Sequence, residues 1–518
     1  MKFPRAAGIL LHPTSLPGSF GIGDLGNEAR RFADFLADAG LRIWQVLPLG
    51  PTGYGDSPYQ SLSAFAGNPL LISPELLARD GLLSSGEVAN ASAFADETVA
   101  FERVIPFKLG LLRAAFNRFR GSPDYDDFCA MSAPWLDSWA RFGALKSANG
   151  NVAWTEWDPS ITAHSRNVEF QRFLQYEFAR QWRELKAHCA ERGVRVMGDM
   201  PIYVAHDSAD VWSHPELFEL DEQGRPAVVS GVPPDYFSAD GQLWGNPIYR
   251  WDRLAHDGFA WWIERFRHAL SVLDMIRLDH FRGFEAYWEI PGGEPTARNG
   301  RWVKGPGAAL FDAAEGALGP LPIVAANLGV ITPEVEAIRH RFHYPGMSIL
   351  QFAFGSDPQA PTFRPHNYPR EVVAYTGTHD NDTTQGWWNS SPARDSTRTE
   401  ADIEREHAAA CAYLNTDGRE IHGTFIRTVF ASVANTALAP MQDVLGLGTE
   451  ARMNLPGSTR NHWRWRMVRG IAPMAERISR AFANKPRDSP RASGSSGGYS
   501  RVVAMVHRTA PRKTTAPA

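Results

Sequence analysis

The chain has 518 residues, 43% hydrophobic and 21% charged, with a formal net charge of −4. This ordinary globular composition allows a large core and up to roughly three domains, and the lack of a basic surplus argues against a nucleic-acid partner. Cys129, Cys189 and Cys411 have no paired spacing, which fits a reducing, cytoplasmic setting, and the opening "MKFPRAAGILLHP" is stopped by His12 and Pro13 too early for a signal peptide or membrane span.

An apolar strand at 7–11, "AGILL", comes first, followed by the helical pattern "NEARRFADFLADAG" (27–40) and a strand at 42–48. A mixed helical stretch from about 70 to 165 is far longer than one crossover helix needs, and it reads as an inserted subdomain. The helix pattern 170–193 leads into a strand at 194–200, "VRVMGDM". Residues 230–251, rich in Pro, Gly and aromatics, read as a structured, lid-like loop. After a helix pattern at 257–270, strands are expected at 273–279, 322–327, 348–354, 372–378 and 441–447. Beyond about 485 the composition turns to Ser, Gly, Pro and basic residues, so 485–518 is expected as a disordered tail and 1–484 as the catalytic unit.

About eight strands, each followed by a helix, predict a (β/α)8 TIM barrel with inserted subdomains. An open doubly wound sheet is the alternative, but no Gly-rich phosphate fingerprint follows the first strand. In such a barrel the reactive groups sit at the C-terminal strand ends. The third strand ends in Asp199. The fourth carries Arg277 and Asp279, two residues apart and so on one face. The seventh runs into "TGTHDNDT", with His379 and Asp380. A single strand-end Asp is more often a helix cap or turn former, and His379-Asp380 or His206-Asp207 alone could be a metal pair or a buried pair. The spacing is poor for a metal. What raises the carboxylates above these readings is their joint position at one barrel mouth. The 17 Trp and 13 Tyr would serve either for packing or for stacking on sugar rings.

Seven motifs, in order from about residue 7 to 466, carry a family resemblance: "ILLHPTSLPGSFGIGDLG", "GYGDSPYQSLSAFAGNP", "GDMPIYVAHDSADVW", "GVPPDYFSADGQLWGNPIY", "MIRLDHFRGFEAYWEIPGGEPTARNGRWVKGPG", "YTGTHDNDTTQGWW" and "LGTEARMNLPG". The chain resembles the amylomaltases, the 4-α-glucanotransferases or disproportionating enzymes of glycoside hydrolase family 77, related to the α-amylase barrels. The resemblance implies α-1,4-glucans and maltooligosaccharides as donor and acceptor, and no cofactor or metal. It assigns Asp279 as the nucleophile of a glucosyl-enzyme intermediate and Asp380 as the carboxylate that stabilises the transition state. Arg277 would keep Asp279 ionised, Asp199 and His379 would bond the sugar, Tyr59 would stack on its ring, and Asn454 would join them. The loop 231–249 resembles the family's flap over the acceptor side.

One strand end departs from the pattern. A retaining double displacement needs a general acid beside the nucleophile, which the family supplies as Glu in Ala-Glu-Asp-Leu-Gly at the fifth strand. Here the chain reads Ala325-Ala326-Asn327-Leu328-Gly329. Ala326 stands at the acid/base position and Asn327 replaces the neighbouring Asp. Glu334 and Glu336 fall in the first turn of a helix with Thr332 as N-cap and Pro333 at the first helical position, where acids serve the helix dipole. Three readings follow: a working glucanotransferase, an acid/base-deficient form of it, and a non-catalytic glucan-binding or regulatory protein. The retained Asp279, Asp380, Arg277 and His379 favour the second.

Overall fold

The computed structural model describes Phe3 and residues 5–468, apart from 90–93, 235–239, 393–397 and 459–460. The tail expected at 485–518 lies outside the described residues. Eight strands form one parallel sheet: β1 (Ala6–Leu10), β2 (Ile43–Gln45), β3 (Arg195–Met200), β4 (Met275–Leu278), β5 (Ile323–Ala325), β6 (Gly346–Ile349), β7 (Val372–Tyr375) and β8 (Thr436–Pro440). Neighbours run β6-β7-β8-β1-β2-β3-β4-β5. The sheet closes where Ala325 N donates to Pro345 O at 2.8 Å, which joins β5 to the start of β6. The result is the (β/α)8 barrel that the strand–helix alternation predicts.

Strand alternation divides the core into two layers. Ile43, Met197, Met275, Val324, Met347, Val373 and Leu438 fill the barrel interior. Their sequence neighbours Trp44, Val196, Ile276 and Ile323 face outward into the helices. Gly8 is required by a close approach of β1 to β2. A Cβ there would lie 2.2 Å from the carbonyl oxygen of Ile43 and 2.7 Å from Leu438.

The helices predicted at 27–40, 170–193 and 257–270 form at Asn27–Asp38, Ser165–Glu191 and Ala260–Val272. Within 70–165 the chain builds the long helices Phe101–Arg118 and Pro123–Ala148, and the second packs along Ser165–Glu191. Two strand expectations miss. The run expected at 348–354 shares only its first two residues with the strand Gly346–Ile349 and continues as a 3-10 helix, Leu350–Ala353. "MQDVLGL" (441–447) is a short helix, Met441–Leu445, and the eighth strand is the run "TALAP" just before it. A short apolar run does not distinguish strand from helix, and the Ala-rich strand has the weaker signal. The segment 230–251, expected as a loop, also contributes two strands, Val228–Val232 and Gln242–Pro247. With Ala286–Pro291 and Arg301–Lys304 they make a four-stranded antiparallel sheet.

Candidate active site

At the mouth of β3 and β4 three charged side chains form one network, in which Asp199 and Arg277 are buried and Asp279 is partly exposed. Pairing aligns Asp199 with Arg277, and alternation turns Arg277 and Asp279 to the same inner face. The Arg277 guanidinium reaches Asp199 Oδ2 at 2.5 Å and Asp279 Oδ1 at 2.8 Å. Burial pushes Asp279 up, but Arg277, then His379 and His280, pull harder, and its carboxyl settles below the ordinary value. Asp199 differs. Its side chain is fully covered, and burial lifts it to about 6 despite the opposing pull of Arg277. Tyr59 Oη donates to Asp199 Oδ2 at 2.8 Å, while Asp199 Oδ1 is buried without a hydrogen-bond partner among the described residues. Asp199 and Tyr59 also line a cavity of about 100 Å³ whose walls include Phe178, Arg265 and His268.

The loop after β7 separates its structural residues from its exposed acid. Asn381 Oδ1 accepts from Thr378 N at 2.8 Å and from Thr378 Oγ1 at 2.9 Å. Gln351 Nε2 donates to the Asp382 carbonyl at 2.9 Å, and buried Asp443 accepts from Thr376 Oγ1 and Thr384 N. Turn formation therefore falls to Asn381, Asp382 and Asp443. Asp380 is left at the mouth, its side chain 43% exposed. Its Oδ1 accepts from Asn454 Nδ2 at 2.6 Å and lies 3.4 Å from His379 Nε2. The Tyr59 ring stacks on His379, centroids 5.1 Å apart and planes 17° from parallel. The structure thus brings Tyr59, Asp199, Arg277, Asp279, His379, Asp380 and Asn454 into one connected cluster.

The fifth strand end contrasts with this. β4 and β5 pair with Leu278 beside Ala325, and Ala326 N donates to the Leu278 carbonyl at 3.1 Å. One step further along the register sets Ala326 beside Asp279, on a strand about 4.8 Å away. Ala326 belongs to the interior layer with Met275 and Val324, so its methyl points to the same inner face as Arg277 and Asp279. It is buried. Asn327 Oδ1 accepts from Met347 N and Asn327 Nδ2 donates to Glu336 Oε1, both at 2.8 Å. Glu336 is also clamped by Arg339, whose Nε lies 3.1 Å from each carboxylate oxygen. Burial opposes this, yet Arg339 and Asn327 hold Glu336 below its ordinary value. Glu334 is an exposed first-turn residue of the helix Pro333–Arg341, with Thr332 at its N-cap.

Sequence reading missed several residues of this cluster. His280 takes a left-handed conformation (φ 48°) that turns the chain sharply after Asp279. It sits edge-on to Trp244, centroids 4.7 Å apart, and burial lowers its pKa to about 4. Arg452 Nη2 donates to the Asp380 carbonyl at 2.7 Å, and Trp463 packs 5.7 Å from the Tyr59 ring. His12, buried near His379, is driven down to about 3, by burial first. His280 and Arg452 each lie within two residues of a motif position already singled out, and His12 falls inside the first motif, "ILLHPTSLPGSFGIGDLG"; Trp463 carried no comparable signal.

A family model described as 4-alpha-glucanotransferase, of glycoside hydrolase family 77, matches residues 11–471. The 4-alpha-glucanotransferase of Thermus thermophilus is 49% identical over 490 residues, covering 91% of this chain and 96% of the relative. That of a Synechocystis species is 49% identical over 484 residues, covering 89% and 94%. Among solved structures, an amylomaltase from Streptococcus agalactiae in complex with acarbose superposes with a TM-score of 0.86 at 38% identity, covering 92% of this chain and 99% of that one.

Proposed function

The chain belongs to the 4-alpha-glucanotransferase family, and from that premise we propose that it retains the family's glucan site and nucleophile but lacks the acid/base for efficient turnover. The substrates are α-1,4-glucans and maltooligosaccharides. Asp279 attacks the anomeric carbon, and Arg277 favours the ionised carboxylate this needs. Asp380, held by Asn454 and close to His379, bonds the sugar hydroxyls and stabilises positive charge in the transition state. Asp199 holds Arg277 and Tyr59 in place, and its Oδ1, without a partner among the described residues, is an acceptor that a sugar hydroxyl would satisfy.

The carrying observation is the register that puts a methyl group beside Asp279. A retaining enzyme places its second carboxyl about 5–5.5 Å from the nucleophile, and a carboxyl carried at position 326 would project beside Asp279 from the neighbouring strand. A methyl cannot protonate the leaving oxygen or deprotonate the acceptor. Glu336 does not replace it, because its carboxylate is clamped by Arg339 and Asn327 and its proton affinity is lowered. General acid–base catalysis contributes about 10²–10⁴-fold, and a sugar alkoxide leaving group calls for the upper part of that range.

The test is a maltotriose time course for this chain beside Ala326→Glu. The expected outcome is glucose and a maltooligosaccharide ladder from the variant, with little from the chain as it stands. Equal ladders from both would mean that another group supplies the proton, and the reading of the fifth strand end would be wrong.

A further inference from the structure

A retaining site that keeps its nucleophile but has a methyl at the acid/base position still has chemistry available where no proton transfer is needed. The two half-reactions fail for different reasons. Glycosylation fails when the leaving group departs as a strongly basic alkoxide. Deglycosylation fails when the acceptor is a hydroxyl that must lose its proton as it attacks. Neither obstacle applies to a leaving group that is already a stable anion, or to an acceptor that attacks as an anion.

The side chain at position 326 removes one obstacle to such an acceptor. Position 326 faces the interior beside Asp279, where Arg277 is bound to both Asp279 and Asp199. A carboxylate at 326 would repel an arriving anion; the Ala326 methyl does not. Of the acids that follow along the chain, Glu334 is exposed on the helix Pro333–Arg341, and Glu336 is engaged by Arg339 and Asn327. Asp380 keeps its charge at the mouth, held by the neutral amide of Asn454, so the relief is confined to the face at position 326. We infer that this chain is a retaining α-glucosyl transferase for donors with anionic leaving groups, and that it joins glucosyl units to thiol rather than hydroxyl acceptors. This inference rests on the proposed reading of Asp279 as nucleophile and of Ala326 as the vacant acid/base position.

The chemistry balances without a co-reactant. With α-glucosyl fluoride as donor, an Asp279 carboxylate oxygen bonds to the anomeric carbon as the carbon–fluorine bond breaks, and fluoride leaves with the electron pair. The linkage to Asp279 is β. An acceptor thiol has a reference pKa of about 8.5, so roughly a few per cent is thiolate at neutral pH, its proton having gone to solvent. The thiolate sulfur attacks the anomeric carbon from the opposite face, the bond to Asp279 breaks, and the carboxylate is restored. Two inversions leave an α-thioglycosidic bond. With a hydroxyl acceptor the second step stalls, and the glucosyl-enzyme accumulates.

The experiment supplies α-glucosyl fluoride with either a 4-thioglucoside or its 4-hydroxyl counterpart. Chromatography and anomeric NMR follow the products, and intact-protein mass follows the enzyme. The expected result is an α-S-linked disaccharide formed at least about 10²-fold faster than the O-linked one. Without thiol the protein gains the mass of one glucosyl unit, and added thiol discharges it. Asp279→Asn removes both effects. Comparable rates for the two acceptors would overturn the inference together with the proposed function, because a base would then be present. Absence of S-linked product, while the protein gains the glucosyl mass or Ala326→Glu builds the maltotriose ladder, would overturn the inference alone. Absence of product, of glucosylated protein and of a ladder from a folded Ala326→Glu would overturn both.

Discussion

The third, fourth and seventh strand ends and the fifth strand end share one barrel mouth but are built in opposite ways. The first three carry Asp199, Arg277, Asp279, His379 and Asp380, joined by ion pairs and by the Tyr59 and Asn454 contacts. The fifth presents a buried methyl, and the amide beside it bonds to a helix and to β6. In the proposed reading, binding and nucleophilic attack depend on the first group, and proton transfer would fall to the fifth strand. Because these functions sit on different strands, one can be absent while the geometry of the other stays intact. In a site where one loop held every group, a loss at one position would disturb the rest.

The largest effect that would sharpen this contrast comes from removing the nucleophile after the acid has been installed. In Ala326→Glu, adding Asp279→Asn is expected to return maltotriose disproportionation to background, a loss of about 10⁴-fold or more, since residues that act as one unit are not additive. Residual ladder formation in the double variant would mean that Asp279 is not the attacking group. Next in size is Arg277→Met. The guanidinium serves the covered Asp199 and the partly exposed Asp279, and removing one partner of a buried ion pair costs about 3–5 kcal/mol. The urea midpoint should fall accordingly, with the far-ultraviolet spectrum below the transition unchanged. A shift under about 1 kcal/mol, the range of exposed pairs, would mean that the network is solvated.

A smaller loss is expected at the seventh-strand side. Asn454→Ala removes a donor to Asp380 Oδ1 at 2.6 Å, and a hydrogen bond to a charged group is worth about 1.5–3 kcal/mol. In the Ala326→Glu background this should appear as a roughly 10- to 100-fold fall in kcat/KM for maltotriose, with the melting temperature nearly unchanged. An unchanged kcat/KM would show that Asp380 is positioned by its backbone alone, through Arg452 and Thr378.

Much of this division was legible in the sequence because parallel barrel strands are short apolar runs with chemistry at their ends. Asp279, two residues after Arg277, and Ala326, at the end of "IVAA", could be placed before any coordinates. The eighth strand could not, since "TALAP" offers little bulk and "MQDVL" beside it is equally apolar. The antiparallel sheet was hidden for another reason. Val228–Val232 pairs with Ala286–Pro291, more than 50 residues on, and local composition carries no trace of such a partner. The role of His280 depends on a left-handed turn and on Trp244 approaching from that distant sheet. Nothing in "LDHFRG" announces either.

The smallest effect tests whether Asn327 is merely a lost Asp or fits its present surroundings. Its amide donates to Glu336 and accepts from Met347 N, a pair of roles that a carboxylate cannot fill. Asn327→Asp would set two carboxylates 2.8 Å apart, with Arg339 already engaged by Glu336. The expected cost at neutral pH is about 1–2 kcal/mol, that of an unpaired buried polar contact. The sign of its pH dependence follows from linkage. In the present chain Glu336 is held below its ordinary value, so its contribution is present above the unfolded carboxyl pKa and is lost as pH falls through the folded one. In the variant the facing charges raise one carboxyl above its unfolded value. That penalty is absent below the unfolded pKa and grows as pH rises through the folded one. Urea midpoints of the two proteins should therefore converge near pH 4 and separate by pH 7. A separation independent of pH would mean that the amide does not bond to Glu336. Ala326→Glu alone should then be no more stable than Ala326→Glu/Asn327→Asp, whereas a confirmed separation makes the single variant the sturdier host for a restored acid.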